Sequence, residues 1–230
     1  MKLLITCRAD KNITDQTDIS FPFMREYCSR VGADFKILDH ESGCTHEEGR
    51  WHYRILKHFE LLQDYDRVLH LDADVLVSPK CPDIFQEVPV DCIGTVWEDQ
   101  GSRTGSRRDK IRDIQKHFHE ISWQTGYINT GVFLTSKLHQ SIFQKIEGEF
   151  WESWGHDDVH LGYQLNQQGF KQHILGFQWN HMTMFSEPWN GSPCRFDSYI
   201  IHYAGAGRFD SKHRNKISQM KADAAELRRR

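Results

Sequence analysis

Within its first 77 residues the chain alternates apolar, β-rich runs with helix-patterned segments, and that order leaves few folds open. KLLITC reads as a first buried strand. ISFPFMREYCSRVG carries Phe23, Tyr27 and Val31 at helical spacing, with Gly32 as a stop. DFKILD reads as a second strand. HEEGRWHYRILKHFELLQDY puts Trp51, Ile55, Phe59 and Leu62 on one apolar helix face. DRVLHLDADVLV reads as a third strand and its exit. A β-α-β-α-β order of this kind predicts an α/β fold with a mainly parallel central sheet flanked by helices. In such sheets ligands bind beyond the carboxyl ends of the strands.

Asp72 and Asp74 stand at one of those ends, separated only by Ala73. Strand alternation would aim both carboxylates the same way while Ala73 turns aside. Like charges so placed repel unless something positive sits between them. A divalent cation is the simplest candidate, and Mg²⁺ or Mn²⁺ commonly divides its coordination between carboxylates and substrate phosphates. A turn bearing two solvated aspartates is the plain alternative. The apolar run leading straight into the pair favours the metal.

The second half is less regular. PVDCIGTVW, YINTGVFLT, FKQHILG and YIIHYAG read as strands, with a break or bulge at Gly131. KLHQSIFQKIEGEFWESW, HDDVHLGYQLNQQG and KHRNKISQMKADAAELRRR read as helices. EDQGSRTGSRRDK is polar, Gly-bearing and basic, and reads as a mobile loop, its Arg103 to Lys110 stretch a lid over a ligand. With no repeat or low-complexity linker, residues 1–230 are expected to form one domain. Residues 212–230 would form a C-terminal helix.

The net charge of −3 argues against nucleic acid as the main partner. No apolar stretch of about 18 residues predicts a membrane span, and MKLLITCRAD is too short in its apolar part for a signal peptide. A cytoplasmic setting is therefore expected. Six cysteines without CxxC spacing are expected to be reduced thiols rather than a zinc site, and the sequons at Asn12 and Asn190 to be fortuitous.

Two enzyme families share the carboxylate motif. LHLDADVLV resembles the D-x-D-x-[TV] nucleophile motif of haloacid-dehalogenase phosphatases, which would make Asp72 a covalent nucleophile. In that family the motif ends the first strand, whereas two β-α units precede it here. YDRVLHLDADVLV more closely resembles the metal-binding segment of GT-A-fold glycosyltransferases, notably the glycogenin-like and galactosyltransferase-like family 8 and small viral and bacterial relatives. Three further segments match in order: YINTGVFL, HDDVHLGYQLNQQG and IIHYAGAGR.

This second resemblance implies a Rossmann-like GT-A domain, residues 1–77 its nucleotide-binding half and 78–215 its donor-sugar and acceptor half, and a metal-dependent hexosyltransferase. It would move a sugar from a nucleoside diphosphate, most simply UDP, to a hydroxyl of a glycan. A non-catalytic sugar-nucleotide binder is the remaining alternative. His202 would join Asp72 and Asp74 around Mn²⁺ or Mg²⁺, with Ala73 and Gly205 leaving backbone space for the donor. The family reads K-P-W where this chain has Arg208, Phe209 and Asp210. Arg208 would then contact the phosphates, with Lys212 or Arg214 as substitutes. Thr6, Cys7 and Arg8, ending the first strand, and Asp39, ending the second, would meet the nucleoside. Arg54 would reach the donor near the metal. Asn129 and Thr130 would face the donor sugar or diphosphate, with Gln124 and Tyr127 on the same wall. Asp157 and Asp158 would bind sugar hydroxyls or, in an inverting enzyme, supply the general base. Either could instead cap its helix. Trp179, His181 and Trp189 are candidates for stacking on an acceptor sugar.

Overall fold

The computed structural model describes residues 1–41 and 51–230. Strand β1 (Leu3–Arg8) leads into helix α1 (Thr14–Val31), which buries Phe23, Met24, Tyr27 and Cys28. Gly32 closes α1 in the left-handed region, φ 69°, a conformation that needs no Cβ penalty only in glycine. Strand β2 (Asp34–Leu38) follows.

The helix expected over 46–65 begins outside the described residues. Trp51–Lys57 is a 3₁₀ segment, and only α2 (His58–Asp64) is α-helical. The tighter winding moves side chains off a 3.6-residue stripe. Ile55 and Leu62 stay buried, while Trp51 is 48% exposed.

Strand β3 (Arg67–Leu71) ends at a turn over residues 72–74, and β4 (Val75–Val77) starts a second sheet. After α3 (Ile84–Glu87) comes β5 (Cys92–Trp97). The expected loop near Arg103 is instead helix α4 (Thr104–His117). The GSRTGS run that leads into it hides the helix from a reading by composition. What holds it is Ile111 and Ile114, one turn apart and both buried. Strand β6 (Ile128–Ser136) continues through Gly131, and its pairing with β5 shifts register there: Gly94 lies opposite Leu134 and Val96 opposite Asn129, so the extra residues are on β6 around Gly131. The helix expected after β6 is a 3₁₀ segment, Lys137–Phe143. Helix α5 (His156–Gln167), β7 (Lys171–Ile174), β8 (Ile200–His202) and α6 (Lys216–Arg229) complete the order.

The main sheet runs β2-β1-β3-β6-β5-β7, with β6 antiparallel to both neighbours and the other five strands sharing one direction. Strand alternation feeds two cores. Ile5, Cys7, Leu69, Leu71, Val132 and Leu134 face a layer that includes Tyr27 of α1 and Met220 of α6. Leu4, Val68 and Phe133 face the other, with Ile55, Leu62, Leu161 and Leu165. A sheet covered on both faces has strands that read as continuous apolar runs, as here.

Beside it, β4 and β8 pair antiparallel, placing Val75 opposite His202. Asp223 anchors α6 to this region. Its carboxylate accepts both Arg195 nitrogens, at 2.7 and 2.8 Å, and the Tyr203 hydroxyl at 2.5 Å. Among the described residues no helix is long and apolar enough to cross a membrane.

Removing one member of a buried charged network strands the others. Asp223→Ala is therefore expected to destabilise the fold by about 3 kcal/mol. Urea denaturation of wild type and variant checks this, and an unchanged midpoint contradicts it.

Candidate active site

The main sheet ends Asp72 and Asp74 on a turn, not on one strand face as alternation suggests. Leu71 is the last β3 residue, the Asp72 amide donates to the Gly131 carbonyl at 3.0 Å, and the chain then leaves for β4. The β4–β8 pairing brings His202 to this turn, and the Tyr203 amide donates to the Asp74 carbonyl at 3.0 Å. Asp72, Asp74 and His202 each offer a ligand atom, and these atoms lie within 4.8 Å of one another. His202 Nε2 stands 3.3 Å from Asp74 Oδ1 and 3.8 Å from Asp72 Oδ2.

Hydrogen bonding fixes which imidazole nitrogen carries the proton. Glu98, at the exit of β5, is a buried carboxylate that accepts from Arg103 and Arg107. Its other oxygen must accept from Asn129 Nδ2, at 2.9 Å. Asn129 Oδ1 is then an acceptor, taking the Gly131 amide at 3.0 Å and Asn180 Nδ2 at 2.8 Å. Asn180 Oδ1 accepts in turn, so His202 Nδ1 must donate to it, at 2.8 Å. In the neutral ring Nε2 then carries the lone pair and faces the two aspartates, the polarity that a metal-ligating histidine needs. Gly131 makes room for the ring: a Cβ there would lie 2.4 Å from His202 Cε1. Two carboxylates and an imidazole of this polarity fit Mn²⁺ or a similar divalent cation.

Cations already offset the carboxylates. Asp74 Oδ2 accepts Lys216 Nζ, from the first turn of α6, at 2.9 Å. Arg8, buried at the end of β1, donates to Asp72 Oδ1 at 2.6 Å and to Asp157 Oδ2 at 2.5 Å. Burial favours the neutral acid at both metal-site aspartates. It is outweighed by Arg8, His70 and His202 at Asp72, held well below the usual range, and by His202 and Lys216 at Asp74, also lowered. Burial likewise opposes charge on His202, yet Asp74 and Asp72 raise its pKa.

Asp157 and Asp158 open α5 without capping it, since the N-cap is Gly155, φ 92°. They turn instead to β6. Thr130 Oγ1 lies 2.7 Å from Asp157 Oδ2 and 2.8 Å from Asp158 Oδ1, its one proton serving either, and the Thr130 amide donates to Asp158 Oδ1 at 2.7 Å. Burial disfavours the charge on Asp157, but Arg8 and His52 bring it to about 2. Among the described residues no cation pairs with Asp158. Burial, Asp157 and Glu98 push it well above the ordinary carboxylate value.

These groups line one cleft of about 680 Å³, the size of sites that enclose small organic ligands. Arg8, Arg54, Asp72, Ala73, Asp74, Asn129, Thr130, Asp157, Asp158, His202 and Gly205 all border it. Arg54 pairs there with Asp10 at 2.7 Å, and Gly205 holds φ 62°.

Other expected residues lie elsewhere. Thr6 is buried between His58 and His70, at 2.8 and 3.0 Å, and Cys7 points into the core on the opposite strand face. Asp39 accepts the Glu41 amide outside the cleft. Arg208 is spent on the carbonyls of His213 and Arg214, at 2.7 and 3.0 Å, so the cleft's C-terminal cation is Lys216. Lys212, Arg214, Gln124 and Tyr127 do not border the cleft. Trp179 and His181 are buried, and Trp189 packs over Gly101. The lid residues Arg103, Arg107 and Arg108 are paired with Glu98 and Asp99.

Glu98, Asn180 and Lys216 escaped the sequence reading. Glu98 had a usable signal, a carboxylate at the end of a buried strand, the feature that marked Asp72. Asn180 and Lys216 had none.

No protein-family model matches the chain, and no curated protein matches it. Solved structures do. One is a glycosyltransferase involved in the glycosylation of the major capsid of PBCV-1, 17% identical, with TM-score 0.56 and full coverage of both chains. The galactosyltransferase LgtC, solved with donor and acceptor sugar analogues, is 17% identical over 97% of this chain and 94% of its own, with TM-score 0.59. The bifunctional glycosyltransferase WbbM gives TM-score 0.63 at 12% identity, all of this chain matching 51% of that one. With its six-stranded mixed sheet, flanking helices and these structural relatives, the chain has the fold of the GT-A glycosyltransferases.

Proposed function

We propose that the protein is a metal-dependent glycosyltransferase that moves a hexose-type sugar from a nucleoside diphosphate, most simply UDP, to a hydroxyl of a glycan. The observation that carries this reading is the cluster of Asp72, Asp74 and an Nε2-directed His202 on a cleft at the strand ends. The three structural relatives named above are glycosyltransferases, and none supports the phosphatase comparison.

Asp72, Asp74 and His202 would hold the cation. When bound, it supplies Lewis-acid neutralisation of the charge on a departing diphosphate. The remaining work falls to the chain. Residues 1–77 offer the nucleoside wall, through Asp10, Asn12 and Gln16 beside Arg54. Lys216 takes the diphosphate role that the family's motif suggested for Arg208, as a point charge near Asp74. Residues 78–215 offer the sugar wall. Asp157, locked anionic by Arg8, accepts from donor hydroxyls. Asp158 is the better proton carrier, because a raised carboxyl pKa is closer to the working pH. The two carboxylates thus divide binding from proton transfer by environment alone.

Mn²⁺ with UDP or a UDP-sugar is expected to stabilise the protein, by about 2.7 kcal/mol at a hundredfold excess over Kd. Asp72→Asn or His202→Ala should remove that gain. A panel of nucleotide sugars, scored by thermal shift and by slow donor hydrolysis, tests both, and a panel with neither stabilisation nor hydrolysis rejects the enzyme proposed.

The hydrogen-bond chain makes a sharper claim. Asn180→Leu frees the His202 ring and Gly131→Ala displaces it, so each should weaken Mn²⁺ binding about 10- to 100-fold. Titration of Mn²⁺ by electron paramagnetic resonance reads this directly, and wild-type affinity in both variants would refute the role of the chain.

A further inference from the structure

Three tryptophans are substantially exposed: Trp51, Trp154 and Trp189. Exposed indoles on a folded chain ask for an explanation, because so large an apolar surface is costly to leave in water. Trp189 has a local one, its Nε1 donating to Glu187 at 2.7 Å over Gly101. Trp51 also borders the cleft, but its ring is already stacked on His52, centroids 3.8 Å apart, with the Arg8 guanidinium 5.2 Å away on the β1 side. Trp154 is different. It is 51% exposed, borders the cleft, and carries the Arg107 guanidinium 4.4 Å from its ring centroid.

The support behind Trp154 is rigid. Arg107 Nε donates to the buried Glu98 carboxylate at 2.8 Å, within the network that orients His202. Trp151 Nε1 donates to the Trp154 carbonyl at 3.2 Å. Gly155, at φ 92°, then turns the chain so that Asp157 and Asp158 follow at once. An indole is thus held against a fixed cation, beside two carboxylates of opposite protonation tendency.

We infer that Trp154 is the stacking platform for the acceptor, and that the acceptor presents a pyranose ring. The inference rests on the glycosyltransferase reading and extends it to the second substrate. The C–H face of a pyranose is weakly positive and apolar, and it matches the electron-rich face of an aromatic ring. A flexible alcohol or a peptide hydroxyl offers no such face. Position separates the two sugars. Asn129 and Asp157, deep and nearly inaccessible, suit the donor ring, whereas Trp154 stands at the open rim. Strand order separates Trp154 from the nucleobase as well. Arg8 and Asp10 follow β1 on one side of Asp72, while Trp154 is backed through Arg107 by β5 on the other.

Saturation-transfer NMR tests this, using methyl β-D-glucopyranoside, methyl β-D-galactopyranoside and methyl α-D-mannopyranoside, with glycerol as the ring-free control. Mg²⁺ and UDP are present throughout, and UDP affinity is measured in the same samples. At least one glycoside should receive saturation at its ring C–H protons, and glycerol should not. Trp154→Ala should weaken that glycoside at least tenfold with UDP affinity unchanged, and Trp154→Phe should restore most of it. No glycoside binding, or equal binding in Trp154→Ala, overturns the platform. Loss of UDP affinity together with glycoside binding in Trp154→Ala also overturns it, since the residue would then serve the fold or the donor. Absence of UDP binding in the wild-type protein condemns the donor assignment separately, because the glycoside arm is read on its own.

Discussion

A buried guanidinium between two carboxylates from distant parts of the chain organises this molecule. Arg8 ends β1, Asp72 follows β3 and Asp157 opens α5, and the fork of one side chain joins all three. Any one of these charges alone in the interior would be expensive. Together they satisfy one another and leave Asp72 Oδ2 facing His202. Because Arg8 engages one oxygen of each aspartate, it orients both and keeps both anionic. The strands that carry Arg8 and Asp72 are neighbours in the sheet, so backbone pairing and side-chain electrostatics enforce the same register.

A second organising element runs from α4 inward. Arg103 and Arg107 meet Glu98, and two amides carry the polarity of that carboxylate to an imidazole. An amide can donate from one end and accept at the other, so a chain of them transmits direction without moving charge. Arg103, just before α4, and Arg107, in its first turn, thus reach Glu98 from a helix start rather than from the loop that composition suggests.

Much of this was legible in residues alone. The alternation of apolar runs with helical periodicity specified a parallel sheet, and DAD at a strand end and HYAG near the C-terminus marked the residues that meet there. What failed did so for physical reasons. A helix that opens on a Gly-, Ser- and Arg-bearing run looks like a loop when two buried isoleucines decide the matter. A 3₁₀ segment shifts an apolar stripe away from its α-helical position. Thr6 and Arg8 lie near each other in sequence, but only Arg8 extends far enough to reach the cleft. Lys216 borders the cleft where Arg208 was expected, because the loop between them uses the arginine for its own carbonyls. Long-range replacements of this kind leave no mark in local spacing.

The small two-stranded sheet has a consequence for how the molecule comes into being. β4 and β8 are separated by more than half the chain, and their pairing alone sets His202 beside Asp74. Closing so long a loop is entropically slow and late among folding events. On the proposed reading, a chain in which only the two aspartates have been placed holds an incomplete chelator, and tight capture of a cation would wait until β8 has docked against β4.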